Sequence, residues 1–204
     1  MMEAMNSSPL YKSFSLVCLT LGMALFSSAH AQNSKSEAAA NGKCPAVLQH
    51  TVERLQDEKP QNLCQYAGQV VLVVNTASFC GFTPQYKSLE ELYARYKDKG
   101  LVVLGFPSND FSQEPGNNQK IADFCENTYG VKFPMFSKTT VRGSDASPLF
   151  KQLTQLTDTS PKWNFYKYLI SRDGKQVKSF NSAADPLHAS FLAEIDKQLS
   201  AKTP

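Results

Sequence analysis

The sequence predicts an α/β domain in which a central mixed sheet is flanked by helices and preceded by a β-hairpin. Three observations carry this. Two apolar, β-branched runs, at 70–75 and 101–106, have the composition of strands buried on both faces. Between them Tyr86, Leu89, Leu92, Tyr93 and Tyr96 form a 3.6-period stripe, so the three segments make a βαβ unit with parallel strands. Further on, two alternating runs flank Arg172-Asp173-Gly174, a hairpin turn signal.

Each element has a local reason. Residues 51–55 and 62–66 flank a polar turn at 57–60 and read as the N-terminal hairpin. Gly68 opens the first buried strand. Thr83 and Pro84 read as an N-cap followed by proline at the first helical position, and Gly100 stops that helix. A loop rich in Ser, Asn, Pro and Gly spans 107–117. The next helix is expected at 118–129, with Ile121, Phe124, Cys125 and Tyr129 on one face. Residues 133–136 read as a short strand and 148–156 as a short helix. Strands at 166–170 and 175–180 form the second hairpin. An amphipathic helix at 186–199, through Leu187, Phe191, Ile195 and Leu199, closes the chain. The order βαβ, helix, hairpin, helix is the plan of a thioredoxin-like fold.

The chain has 204 residues, 42% hydrophobic and 19% charged, which suits one domain with a sizeable core plus an appendage. A net charge of +3, with no basic run, gives no reason to expect a nucleic-acid partner. The appendage is N-terminal. Lys12 precedes a mostly apolar run at 14–26, and Ala29-His30-Ala31 offers an A-x-A cleavage site. Residues 1–31 therefore read as a signal peptide, 32–43 as a flexible linker and 44–204 as the domain, exported and expected in a periplasm. The apolar run is short for a membrane span, so no stable anchor is expected, although an uncleaved anchor helix is the alternative.

Removal of Cys18 leaves Cys44, Cys64, Cys80 and Cys125, which allow three pairings. Only three histidines are present, one of them in the export signal, so neither a His-rich metal site nor a His-based triad is expected. Cys80 lies between the first buried strand and the following helix. Unpaired N–H groups and the dipole at a helix N-terminus favour the thiolate, the reactive form of cysteine. Cys80 is thus a candidate nucleophile. Position 83 is Thr rather than a second cysteine, which disfavours dithiol exchange on proteins.

Three segments resemble the signatures of the glutathione peroxidase family: VVNTASFCGFT at 73–83, LGFPSNDFSQEPG at 104–116, and Trp163-Asn164-Phe165. The resemblance runs in order from about residue 65 to 199. It implies a thioredoxin-like fold and thiol-dependent reduction of hydroperoxides, with no metal and no cofactor. By position, Cys80 is the peroxide-attacking residue, and Gln113, Trp163 and Asn164 fill the other places of the catalytic tetrad. These are neutral donors, which stabilise charge moving from sulfur to oxygen without a titrating base. The second segment departs from the usual signature in three ways. It has Ser108 for Cys and Asp110 for Gln, and it is one residue shorter around Ser112. Asp110 is expected to face solvent.

By resemblance Cys125, in a Phe-Cys context before Phe133-Pro134, is the resolving thiol. With those roles given, export and the even count suggest a structural disulfide between Cys44 and Cys64. The stretch 141–163 lacks the insertion of glutathione-binding tetramers, so the resemblance points to a monomer. Its expected reductant is a thioredoxin-like protein, or else glutathione. The alternative function is a non-enzymatic periplasmic redox sensor or thiol-relay protein on the same fold.

Overall fold

The computed structural model describes residues 44–201. The expected signal peptide and the whole expected linker, residues 1–43, lie outside the described residues.

Two short strands, β1 (Thr51–Glu53) and β2 (Pro60–Asn62), pair antiparallel as the N-terminal hairpin. The second strand ends earlier than its sequence suggests. Asn62 caps a 3₁₀ turn at Leu63–Tyr66, its side chain accepting from the Cys64 N–H, and that turn carries Cys64 into a disulfide with Cys44.

The main sheet contains β3 (Val70–Thr76), β4 (Leu101–Pro107), β5 (Lys167–Ile170) and β6 (Val177–Phe180), in the order β4-β3-β5-β6. β3 and β4 are parallel, while β5 pairs antiparallel with both β3 and β6. Among the described residues four α-helices flank it: α1 (Gln85–Tyr96), α2 (Asn118–Tyr129), α3 (Pro148–Thr157) and α4 (Ala189–Ser200). This is the mixed-sheet, thioredoxin-like plan expected from the order of elements.

Side-chain alternation along the buried strands divides the core. Val70, Leu72, Val74 and Val103 pack with Tyr86, Leu89 and Leu92 of α1, Ile121 and Cys125 of α2, and Phe191 and Ile195 of α4. Val71, Val73, Val102 and Leu104 face the other way, onto Leu149, Phe150 and Leu153 of α3 and Val47, Leu48 and Leu63 beside the hairpin. Both faces of β3 and β4 are covered, so these strands read as unbroken apolar runs.

Residues 133–136 make only isolated bridges, Met135 to Gly105 and Phe136 to Arg54, instead of a full strand. The approach is close: a Cβ at Gly105 would lie 2.2 Å from the Met135 sulfur, so only glycine fits there.

Candidate active site

The loop after β3 carries Cys80, and Thr83 fixes its shape. The helix begins at Gln85, one residue later than an N-cap at Thr83 would require. The Thr83 hydroxyl is spent elsewhere: it donates to the Ala77 carbonyl (3.0 Å) and accepts from the Cys80 N–H (2.9 Å). The Phe82 N–H donates to the Cys80 sulfur (3.4 Å), and the Cys80 carbonyl accepts from the Thr83 N–H (3.0 Å). One backbone N–H, that of Phe82, therefore faces this sulfur, from a turn leading into the helix rather than from its first turn. The cysteine is 9% exposed and carries no disulfide.

The second segment closes over this loop. The Phe79 N–H donates to the Gln113 carbonyl (3.1 Å). Ser112 takes a positive φ of 58°, sparse for a residue with a side chain, and this lets the shortened loop turn back early. Asp110 does not stand free in solvent as expected. Its carboxylate accepts from the backbone N–H groups of Val141 (2.7 Å) and Arg142 (3.2 Å), which anchors the same loop.

Asn75, the polar residue near the end of β3, brings in the third segment. Its Nδ2 donates to the Trp163 carbonyl (3.2 Å), its Oδ1 accepts from the Tyr166 N–H (3.0 Å), and its own carbonyl accepts from the Phe165 N–H (2.6 Å). Phe165 sits fully buried at a φ of 60°, and Asn164 is turned inward beside it. Asn164 Nδ2 donates to Gln113 Oε1 (2.9 Å). The Trp163 ring is 41% exposed and packs against Phe111, with ring centroids 5.2 Å apart.

The structure thus joins Gln113 to Asn164 directly and to the Cys80 loop through one backbone bond, and it holds Trp163 at the rim. Among the described residues, the hydrogen bond onto the Cys80 sulfur comes from Phe82; none of the three expected donors reaches it. Both histidines of the domain are employed elsewhere, His50 on Gln152 (2.7 Å) and His188 as the cap of α4.

Cys125 is also free and buried, in the same apolar cluster as Cys80. Burial pushes its thiol up to about 11, against the opposing effect of the Tyr86 hydroxyl beside it. The phenylalanine before each cysteine touches the other, Phe79 stacking on Phe124 with centroids 6.3 Å apart.

Sequence reading missed four residues. Thr83 looked like a cap. Glu114 was assigned no role, yet it is 1% exposed. Lys167, at the start of β5, is fully buried and donates to Gln85 Oε1 (2.6 Å) and the Ser182 carbonyl (3.3 Å). Only Asn75 gave a signal, as a polar residue ending an apolar run.

Fold and site together define a thioredoxin-fold enzyme that works through a cysteine thiol. Comparison narrows the class. The glutathione peroxidase family profile matches residues 47–154. A glutathione peroxidase-like peroxiredoxin of Chlamydomonas reinhardtii is 52% identical over 139 residues, covering 66% of this chain and 85% of the relative. A protein named hydroperoxy fatty acid reductase, of Synechocystis, is 47% identical over 154 residues, 70% of this chain and 90% of its own. The crystal structure of Trgpx in its apo form superposes with a TM-score of 0.63 at 37% identity, covering 78% of this chain and 97% of that one. The chain belongs to the glutathione peroxidase family. It is a thiol peroxidase, with a hydroperoxide as substrate and a thiol as reductant.

Proposed function

We propose that Cys80 is the thiol that meets the peroxide, in an exported, periplasmic and monomeric enzyme. The thiolate attacks one oxygen of ROOH, the O–O bond breaks, and the leaving RO⁻ takes up a proton. The products are Cys80 sulfenic acid and ROH, with sulfur oxidised by two electrons. Charge builds on the departing oxygen rather than on sulfur. Donors for that oxygen belong beside the sulfur, where the oxyanion forms, and need not touch the resting thiol. In this reading Gln113, Trp163 and Asn164 supply those donors. The observation that carries the reading is the bond from Asn164 Nδ2 to Gln113 Oε1. It engages the acceptor oxygen of the Gln113 side chain and leaves its NH₂ group available as a donor.

Cys125 then attacks the sulfenic sulfur, water leaves, and a Cys80–Cys125 disulfide forms. A buried thiol held near 11 is a poor nucleophile, so α2 opens locally before this step. The stacked Phe79 and Phe124 support the route, because they bring the two cysteine-bearing segments together. A thioredoxin-like dithiol protein, or glutathione, reduces the disulfide. Phe79, 67% exposed, and the Trp163 ring give the entrance an apolar surface suited to organic as well as hydrogen peroxide. The name of the Synechocystis relative supports fatty-acid hydroperoxides as one such class.

The test is peptide mapping after one equivalent of peroxide, followed by steady-state assays with a thioredoxin and with glutathione side by side. The reading expects an 80–125 crosslink and faster turnover with the dithiol protein. A persistent sulfenic acid at Cys80 would remove Cys125 from the scheme.

A further inference from the structure

Glu114 is nearly fully buried next to Gln113, and the chemistry proposed above makes no use of it. Its Oε2 accepts two hydrogen bonds from one residue of the Cys80 loop, from the Ser78 N–H (2.8 Å) and the Ser78 hydroxyl (2.9 Å). Its Oε1 is buried with no hydrogen-bond partner. Its own N–H donates to Asn109 Oδ1 (2.9 Å), and Lys138 Nζ lies 3.5 Å from its carbonyl. Burial pushes the carboxyl up, and the two Ser78 donors pull the other way.

A buried carboxyl oxygen without a partner is destabilising, and such exceptions call for an explanation. Stability alone does not supply one, because the two Ser78 donors need only one acceptor oxygen and the second is left orphaned at a cost. The geometry of the loops does. Ser78 lies two residues before Cys80, and Glu114 directly follows Gln113. The Glu114 side chain and the bond from Phe79 N–H to the Gln113 carbonyl are two parallel ties between the segments that carry the sulfur and the donor. One tie leaves a pivot, whereas two fix both separation and angle.

We propose that Glu114 is a positioning residue. It clamps Ser78 so that the Gln113 amide stands where the leaving oxygen of the peroxide will form. This rests on the roles proposed for Cys80 and Gln113 and adds the element that sets the distance between them. The carboxyl acts by accepting two bonds, and its charge is not required.

The experiment compares two second-order rates at Cys80 in the folded, reduced protein. One is oxidation by hydrogen peroxide and the other alkylation by iodoacetamide, which needs the thiolate but no donor at a leaving oxygen. Glu114→Ala should slow oxidation by about 10- to 100-fold, as sub-ångström to ångström misplacement does, and leave alkylation within about threefold of wild type. Glu114→Gln keeps an oxygen acceptor for Ser78 and should recover to within about fivefold of wild type. Three results would overturn the proposal: oxidation of Glu114→Ala within threefold of wild type, equal losses in both rates, or Glu114→Gln as slow as Glu114→Ala. If Glu114→Ala does not fold, Ser78→Ala removes one of the two bonds and should show the same split at about two- to tenfold; no split overturns the proposal. Failure of the underlying chemistry is distinguishable, because Cys80→Ser would then still consume peroxide at the wild-type rate.

Discussion

Replacing Asn164 with leucine should separate activity from stability. Asn164 is fully buried, its Nδ2 donates to Gln113 Oε1, and its Oδ1 has no partner. Leucine has a similar volume and no polar atoms. The lost hydrogen bond is worth about 1 kcal/mol, and removal of a buried, unpaired oxygen returns about 1–3 kcal/mol. Gln113 Oε1 is half-buried and can turn to water. The midpoint of urea unfolding should therefore stay level or rise slightly. Activity should move the other way. Without Asn164 the Gln113 amide is free to rotate, and a donor preset for the leaving oxygen is lost. Loss of one such donor costs about 10²- to 10³-fold in rate; allowing for partial retention of the orientation, oxidation of Cys80 should slow by about 10²-fold, or about 2.7 kcal/mol. Stopped-flow oxidation in single turnover reads this step without any reductant. A rate within threefold of wild type would refute the orienting role. So would a parallel collapse of stability, which would show the asparagine to be a packing residue.

Other outcomes follow from the same geometry. The Cys44–Cys64 disulfide closes a loop with a sequence separation of 20, so removing it should lower unfolding free energy by about 3 kcal/mol; a fall below 1 kcal/mol in urea would contradict the loop-entropy account. Burial lowers the Lys167 ammonium to about 7, while an unfolded lysine titrates near 10.4. Between those values the unfolded chain holds more protons, so this residue destabilises the fold fully below pH 7, and its penalty fades as pH rises toward 10. Lys167→Met should raise stability most at pH 6–7 and flatten the rise above it; identical pH slopes in both proteins would exclude this. Cys125, held at about 11, should alkylate at pH 7 at least ~10²-fold more slowly than an exposed thiol and accelerate with rising pH. Equal labelling of Cys80 and Cys125 in the reduced native protein would show that α2 is already open.

The fold was legible wherever burial imposes a pattern on local sequence. β3 and β4 are covered on both faces, so their apolar runs could be read directly, and the 3.6-period stripes of α1 and α2 gave their helices within a residue or two. Reading failed where a side chain took a partner distant in sequence. Residues 133–136 look like a strand but bridge β4 only where Gly105 admits Met135. Asp110 looks solvated but binds amides about thirty residues away.

The same division holds at the site. From the sequence alone came the chemical types: a thiol before a helix, an amide, an indole and a second amide in three ordered segments, and the family to which these belong. Chemical identity resides in single residues and short spacings, so a one-dimensional chain carries it. Only the tertiary structure decided that Asn75 holds the third segment, that Asn164 turns the Gln113 amide, and that Glu114 grips Ser78. Those are hydrogen bonds across 36 to 88 residues of chain, formed once β3 and its neighbours are packed. A carboxylate in a loop carries no local mark that it will be buried, because its desolvation depends on what folds over it.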